Sequence, residues 1–169
     1  MKNIALIGFM GTGKSATGRL IAADLKMKFI DMDSTIENRE QRRISEIFEK
    51  DGEPYFRNLE RNLITELSAN SGLVISCGGG IVLNPDNISD LEKSGLVACL
   101  SATPETILER VKNDTNRPLL AVADKLGKIR ELLAKRQHLY DAIPCQVKTD
   151  SKTIRQVADE IISAYKKGL

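Results

Sequence analysis

Short apolar runs alternate with longer amphipathic stretches along this chain. The runs cover residues 4–7, 29–31, 73–76, 96–100 and 146–149. The first four are brief and largely apolar at successive positions, as strands buried on both faces are, while residues 146–149 are apolar only at Val147. Between them, Phe56, Leu59, Leu63 and Leu67 recur at helical spacing, as do Ile154, Val157, Ile161 and Tyr165. Residues 16–25 and about 126–140 also read as helices. Thr103-Pro104 has the form of an N-cap with Pro at the first helical position. Strand and helix in alternation predict an α/β fold, a parallel sheet with helices on both faces. In such sheets, ligands bind beyond the carboxyl ends of the strands.

Composition narrows the picture without changing it. The 169 residues are expected to form one domain, 1–169. The 25 basic and 23 acidic residues nearly balance, so no electrostatic footprint for nucleic acid is visible. The basic doublets Arg42-Arg43 and Lys166-Lys167 read as solvated surface. No apolar run approaches the roughly 20 residues of a membrane helix, and no secretory signal is visible. Cys77, Cys99 and Cys145 are too scattered for a metal knuckle and read as buried free thiols. The expectation is a cytoplasmic monomer with no nucleic-acid or membrane partner.

Candidate chemistry starts at Gly8-Phe-Met-Gly-Thr-Gly-Lys14-Ser15, which matches G-x-x-x-x-G-K-S/T between a strand and a helix. Glycines let backbone N–H groups curl around phosphate oxygens. Lys14 neutralises the outer phosphates, and the Ser15 hydroxyl can ligate Mg²⁺. The helix N-terminus adds partial positive charge. The pattern predicts a nucleoside triphosphate site.

A switch GTPase is disfavoured. Asp124-Lys-Leu-Gly127 has a D-x-x-G form but comes too late in the chain, and Val147-Lys-Thr-Asp150 lacks the base-reading amide. A kinase needs a metal-supporting acid, a group facing the acceptor hydroxyl and a closing positive charge. Asp31 and Asp33, two apart at a strand end, can point the same way if the chain stays extended. Alternatively, Asp33 or Ser34 caps the next helix.

Arg136 falls on the inner side of its helix, 7 beyond Ile129 and 4 beyond Leu132. A buried guanidinium is costly unless it is paired or faces an anion. Arg57 and Glu60, at i, i+3, can pair, as many surface residues do. Three consecutive glycines, Gly78 to Gly80, end a strand, where each costs about 0.5–1 kcal/mol relative to Ala. Either the chain turns sharply there or something approaches it too closely for a Cβ. Two arginines beside exposed main chain would suit a carboxylate. Arg117, before Pro118 in a loop-like segment, fits either a lid over triphosphate or an exposed loop.

Residues 2 to about 165 resemble shikimate kinase. The matching motifs, in order, are GFMGTGKS with Gly18-Arg19, FIDMDSTIE, ISEIFEKDGEPYFRNLE, ISCGGG, RPLL and KRQHLY. The resemblance implies a nucleoside-monophosphate-kinase-like P-loop fold, a three-layer α/β/α sandwich on a five-stranded parallel sheet. It implies a substrate-binding helical region at about 33–61 and a lid at about 112–124. It implies that ATP, with Mg²⁺, phosphorylates the 3-hydroxyl of shikimate on the route to chorismate. Gly11, Thr12, Gly13, Lys14, Ser15 and Ala16 would then cradle phosphates, with Ser15 and Asp31 serving the metal. Asp33 would face the acceptor hydroxyl. Arg57, Arg136, Gly79 and Gly80 would hold the substrate, Glu60 would orient Arg57, and Phe48 and Phe56 would wall the pocket. Arg117 would close over ATP, and Arg110 lies where the family often stacks on adenine. The chain departs from the family in having Ala16 where Thr is common, and Ser151-Lys152 stands where another basic residue often lies. His138 reads as surface or packing. A P-loop kinase for another small hydroxy-acid or a nucleotide, or a non-catalytic nucleotide-binding module, are the alternatives.

Overall fold

A computed structural model describes residues 1–115 and 117–168. Asn116, within the expected lid, and Leu169 lie outside the described residues. Five parallel strands form one sheet: β1 (Asn3–Ile7), β2 (Lys28–Asp31), β3 (Leu73–Ser76), β4 (Gly95–Ser101) and β5 (Cys145–Lys148). Their spatial order is β2-β3-β1-β4-β5. All five were expected, each to within a residue or two. The last strand stops at Lys148 rather than Thr149, although the Thr149 N–H still donates to the Ser101 carbonyl at 2.8 Å.

The helices are α1 (Lys14–Leu25), α2 (Met32–Glu40), α3 (Ile44–Ser68), α4 (Pro85–Ser94), α5 (Pro104–Val111), α6 (Lys125–Asp141) and α7 (Ile154–Lys167). Successive β1 side chains split between the two faces of the sheet. Ile4 and Leu6 join the core under α1 and α7, with Ile21, Val157 and Ile161. Ala5 and Ile7 join the core on the opposite face, with Ile64, Leu91 and Ile129. This is the three-layer arrangement expected.

Thr103 caps α5 by accepting from the Thr106 N–H, with Pro104 at the first position, as the sequence suggests. α3 bends at Gly52, whose φ of 83° suits glycine, and Pro54 follows it. Residues 44–51 and 53–68 therefore run in different directions, with Phe48 on the first arm and Arg57 and Glu60 on the second.

One expectation needs correcting. Asp31 and Asp33 do not lie together in extended chain, because α2 begins at Met32. Asp31 itself is the cap, accepting from the Ser34 N–H at 3.1 Å, so neither Asp33 nor Ser34 caps the helix. Asp33 sits in the first helical turn. The three cysteines are free, two buried and Cys145 half-buried. Among the described residues, no helix is long and apolar enough to cross a membrane.

Candidate active site

The loop from β1 to α1 turns back over the strand end. Gly8, Gly11 and Gly13 all have positive φ, and a Cβ on Gly8 would strike the Leu100 carbonyl oxygen. Lys14 lies under the loop and donates to the Gly8 and Phe9 carbonyls, each at 2.9 Å. Burial lowers its pKa to about 8, against the opposing pull of the Asp33 charge. Thr12 donates to the Phe9 carbonyl at 2.8 Å and tightens the turn.

At the loop's mouth, the Ser15 hydroxyl donates to Asp31 Oδ2 at 2.6 Å and lies 3.0 Å from Ser76 Oγ. Ser76 is opposite Asp31 in the β2–β3 register, which brings a third oxygen to the same point. This all-oxygen set suits a hard divalent cation such as Mg²⁺, which keeps waters and uses substrate phosphates as further ligands. Among the described residues, no group of three or more His, Cys, Asp or Glu side chains forms a metal cage.

A cleft of about 200 Å³ opens beyond these residues, and a second of about 70 Å³ adjoins it. Met10, Asp33, Gly78, Gly79 and Arg117 border both. Gly11, Gly13, Lys14, Ser15, Ala16 and Asp31 face only the first. Phe48, Phe56, Arg57, Glu60, Gly80 and Arg136 face only the second.

Asp33 therefore stands in the wall between the two. Burial raises its pKa, Arg117 opposes that shift, and Asp31 reinforces it. Arg117 Nη1 is 3.9 Å from Asp33 Oδ2, while its Nε donates to Asp114 at 2.8 Å.

In the second cleft Arg57 is held from two sides. Its Nη1 donates to Glu60 Oε2 at 2.6 Å, and its Nη2 donates to Glu53 Oε1 at 2.9 Å. The chain does turn here, with the Ile81 N–H donating to the Gly78 carbonyl at 3.2 Å, but the need for glycine at Gly78 and Gly80 comes from close approach. None of the three glycines has positive φ. A Cβ on Gly80 would collide with the Arg57 guanidinium, and one on Gly78 would lie 2.5 Å from Glu60 Oε1.

Glu60 is 1% exposed, its Oε1 has no hydrogen-bond partner, and burial pushes its pKa up to about 7 against the pull of Arg57. Arg136 is buried, and among the described residues no carboxylate lies within ion-pairing distance of it. An unpaired buried guanidinium calls for an anion. Phe48 and Phe56 meet across the bend of α3 with ring centres 5.1 Å apart.

Of the residues singled out from sequence, two border neither cleft. Thr12 is internal to the loop. Arg110 reaches the back of the loop, donating to the Gly11 carbonyl and Thr149 Oγ1, each at 3.1 Å. Sequence reasoning missed Glu53, Ser76 and Met10. The i, i+4 spacing of Glu53 and Arg57 was a usable signal, and strand register could have found Ser76.

A site in which a phosphate loop and a paired-arginine cleft share one carboxylate can carry phosphoryl transfer to a small acid. The family model described as shikimate kinase matches residues 10–166. The chain belongs to the shikimate kinase family. It is 46% identical to a shikimate kinase of Caldanaerobacter subterraneus subsp. tengcongensis, over 98% of this chain and 96% of that one. A solved shikimate kinase from Acinetobacter baumannii, described in complex with shikimate, superposes with a TM-score of 0.95 at 36% identity, covering 99% of this chain and 94% of that one. The shikimate kinase structure from Aquifex aeolicus gives 0.85 at 35% identity, over 98% and 97%. Membership makes the chain an ATP-dependent kinase.

Proposed function

We propose that this chain transfers the γ-phosphoryl group of ATP to the 3-hydroxyl of shikimate, giving ADP and shikimate 3-phosphate on the route to chorismate. The observation that carries this reading is the wall shared by the two clefts, with Asp33 and Arg117 facing both. The first cleft takes the triphosphate, with the Gly11–Ala16 backbone and Lys14 on its oxygens. Arg110, which donates to the Gly11 carbonyl behind the loop, would lie toward the adenine. Mg²⁺, held through Ser15 and Asp31, would neutralise charge on the phosphoryl oxygens when bound.

The second cleft takes the acceptor. Arg57 and Arg136 grip its carboxylate, each able to offer two N–H donors, and Gly79 and Gly80 add main-chain contacts. Asp33 takes the proton as the hydroxyl oxygen bonds to phosphorus and the bond to ADP breaks. Its raised pKa makes it a better base than an ordinary aspartate. Arg117, on the lid at about 112–124, neutralises the transferring group and helps exclude water. The helical region at about 33–61 supplies most of the acceptor contacts. In this reading the enzyme works in the cytoplasm, as a monomer.

A panel of acceptors with coupled ADP detection tests the proposal. Turnover is expected with shikimate and not with nucleoside monophosphates or gluconate. Preferred turnover of any of those acceptors would overturn the assignment.

A further inference from the structure

One buried hydroxyl ties the two arms of the acceptor cleft together. Tyr140 is 4% exposed and lies on α6 one turn after Arg136, so the two side chains share a face. Its hydroxyl donates to the Gly79 carbonyl at 2.5 Å. Gly79 also abuts the phosphate loop, since a Cβ there would lie 3.4 Å from the Met10 nitrogen and 3.6 Å from the Gly8 carbonyl oxygen. The glycine corner is thus gripped between the loop and α6.

In a planar trans peptide the C=O and the next N–H point in opposite directions. Holding the Gly79 carbonyl therefore fixes the direction of the Gly80 N–H, and Gly80 borders the acceptor cleft. Arg136 and Tyr140 are both buried on that shared face of α6. Tyr140 itself borders neither of the two clefts.

We infer that Tyr140 is a positioning residue for the acceptor: its hydroxyl holds the Gly79–Gly80 peptide against the face of α6 that carries Arg136, so that the peptide and the Arg136 fork meet the same carboxylate. This rests on the functional reading above.

The test is Tyr140→Phe, which removes the hydroxyl and keeps the ring. The KM for shikimate should rise about tenfold, the scale of one well-placed hydrogen bond. The kcat and the KM for ATP should stay within about twofold. The gain in melting temperature that saturating shikimate gives should shrink, while the gain from an ATP analogue should not. Adding Arg136→Lys to Tyr140→Phe should cost less than the two single effects together, because both act on one grip.

An unmoved shikimate KM, an equal rise for both substrates, or fully additive effects would each overturn the inference. Wild-type enzyme without turnover on shikimate would defeat the functional reading itself. Wild-type turnover with an unmoved shikimate KM in Tyr140→Phe would defeat this inference alone.

Discussion

The two clefts are neighbours built on opposite plans. The phosphate cleft is built around main chain, one loop and one helix end, with Lys14 tucked against the carbonyls of its own loop and the Asp31, Asp33 and Arg117 side chains at its mouth. The acceptor cleft is made of side chains carried from residues 57, 60 and 136, on two helices and far apart in sequence. A backbone cradle reads only phosphate, which every nucleoside triphosphate offers. A cleft of placed side chains reads one small molecule. Both hold buried charge at a cost to the folded state. Lys14 has its pKa pushed down and Glu60 has its pKa pushed up, each by burial. That cost is the counterpart of a site prepared for charged ligands.

The sharpest way to break this contrast is to remove the single side chain on which the backbone cradle depends. Lys14→Ala should lower kcat by about 10³-fold or more, because the proposed mechanism uses this amine to neutralise charge on the transferring phosphoryl group. The fold should persist, since deleting a buried amine removes a desolvated charge. Steady-state kinetics alongside a melting curve would check this, and near wild-type turnover would remove Lys14 from the chemistry.

The wall between the clefts comes next. Asp33→Asn should cut kcat by about 10²- to 10³-fold while leaving the ATP dissociation constant within about threefold. Equal loss of ATP affinity and rate would make Asp33 part of the phosphate cradle instead.

The acceptor side has its own signature in stability. The folded-state pKa of Glu60 is raised, to about 7 from 4.5. The folded state therefore holds this proton more tightly than the unfolded chain does. Its favourable contribution is complete below about pH 4.5 and is lost as pH rises to about 7. The difference is on the order of 3 kcal/mol. Glu60→Gln should flatten that decline in a melting series from pH 5 to pH 8. Parallel curves for variant and wild type would show that Glu60 titrates normally.

The smallest effect expected is that of Arg136→Lys. The charge is kept but the fork is lost, so the KM for shikimate should rise about tenfold with kcat nearly held. Equal KM values would return Arg136 to a structural role.

The same contrast decides how much of each cleft is legible in the sequence. The phosphate cleft was legible because its eight-residue loop is contiguous, and its strand and helix flanks are the only geometry it needs. Arg136 could be placed on the inner face from its spacing to Ile129 and Leu132, because helical periodicity holds over two turns. The meaning of Gly78 and Gly80 was not legible. It depends on Arg57 and Glu60 packing over the strand end, a contact between α3 and β3 that no local pattern encodes. The geometry of Asp31 and Asp33 was misread for a related reason. The apolar run shows where β2 lies, but not that α2 starts without an intervening residue. The bend at Gly52 was also unread, although Gly-x-Pro marked it. It lets Phe48 and Phe56 close one wall from two arms of a single helix.

The central claim is that a cradled triphosphate and a clamped hydroxy-acid meet at Asp33. A crystal structure with a non-hydrolysable ATP analogue, Mg²⁺ and shikimate tests it most directly. The account predicts the γ-phosphate against Lys14, the carboxylate on Arg57 and Arg136, and the 3-hydroxyl between Asp33 and phosphorus at roughly 3–3.5 Å. Shikimate bound elsewhere, or turned with its carboxylate toward Lys14, would contradict it.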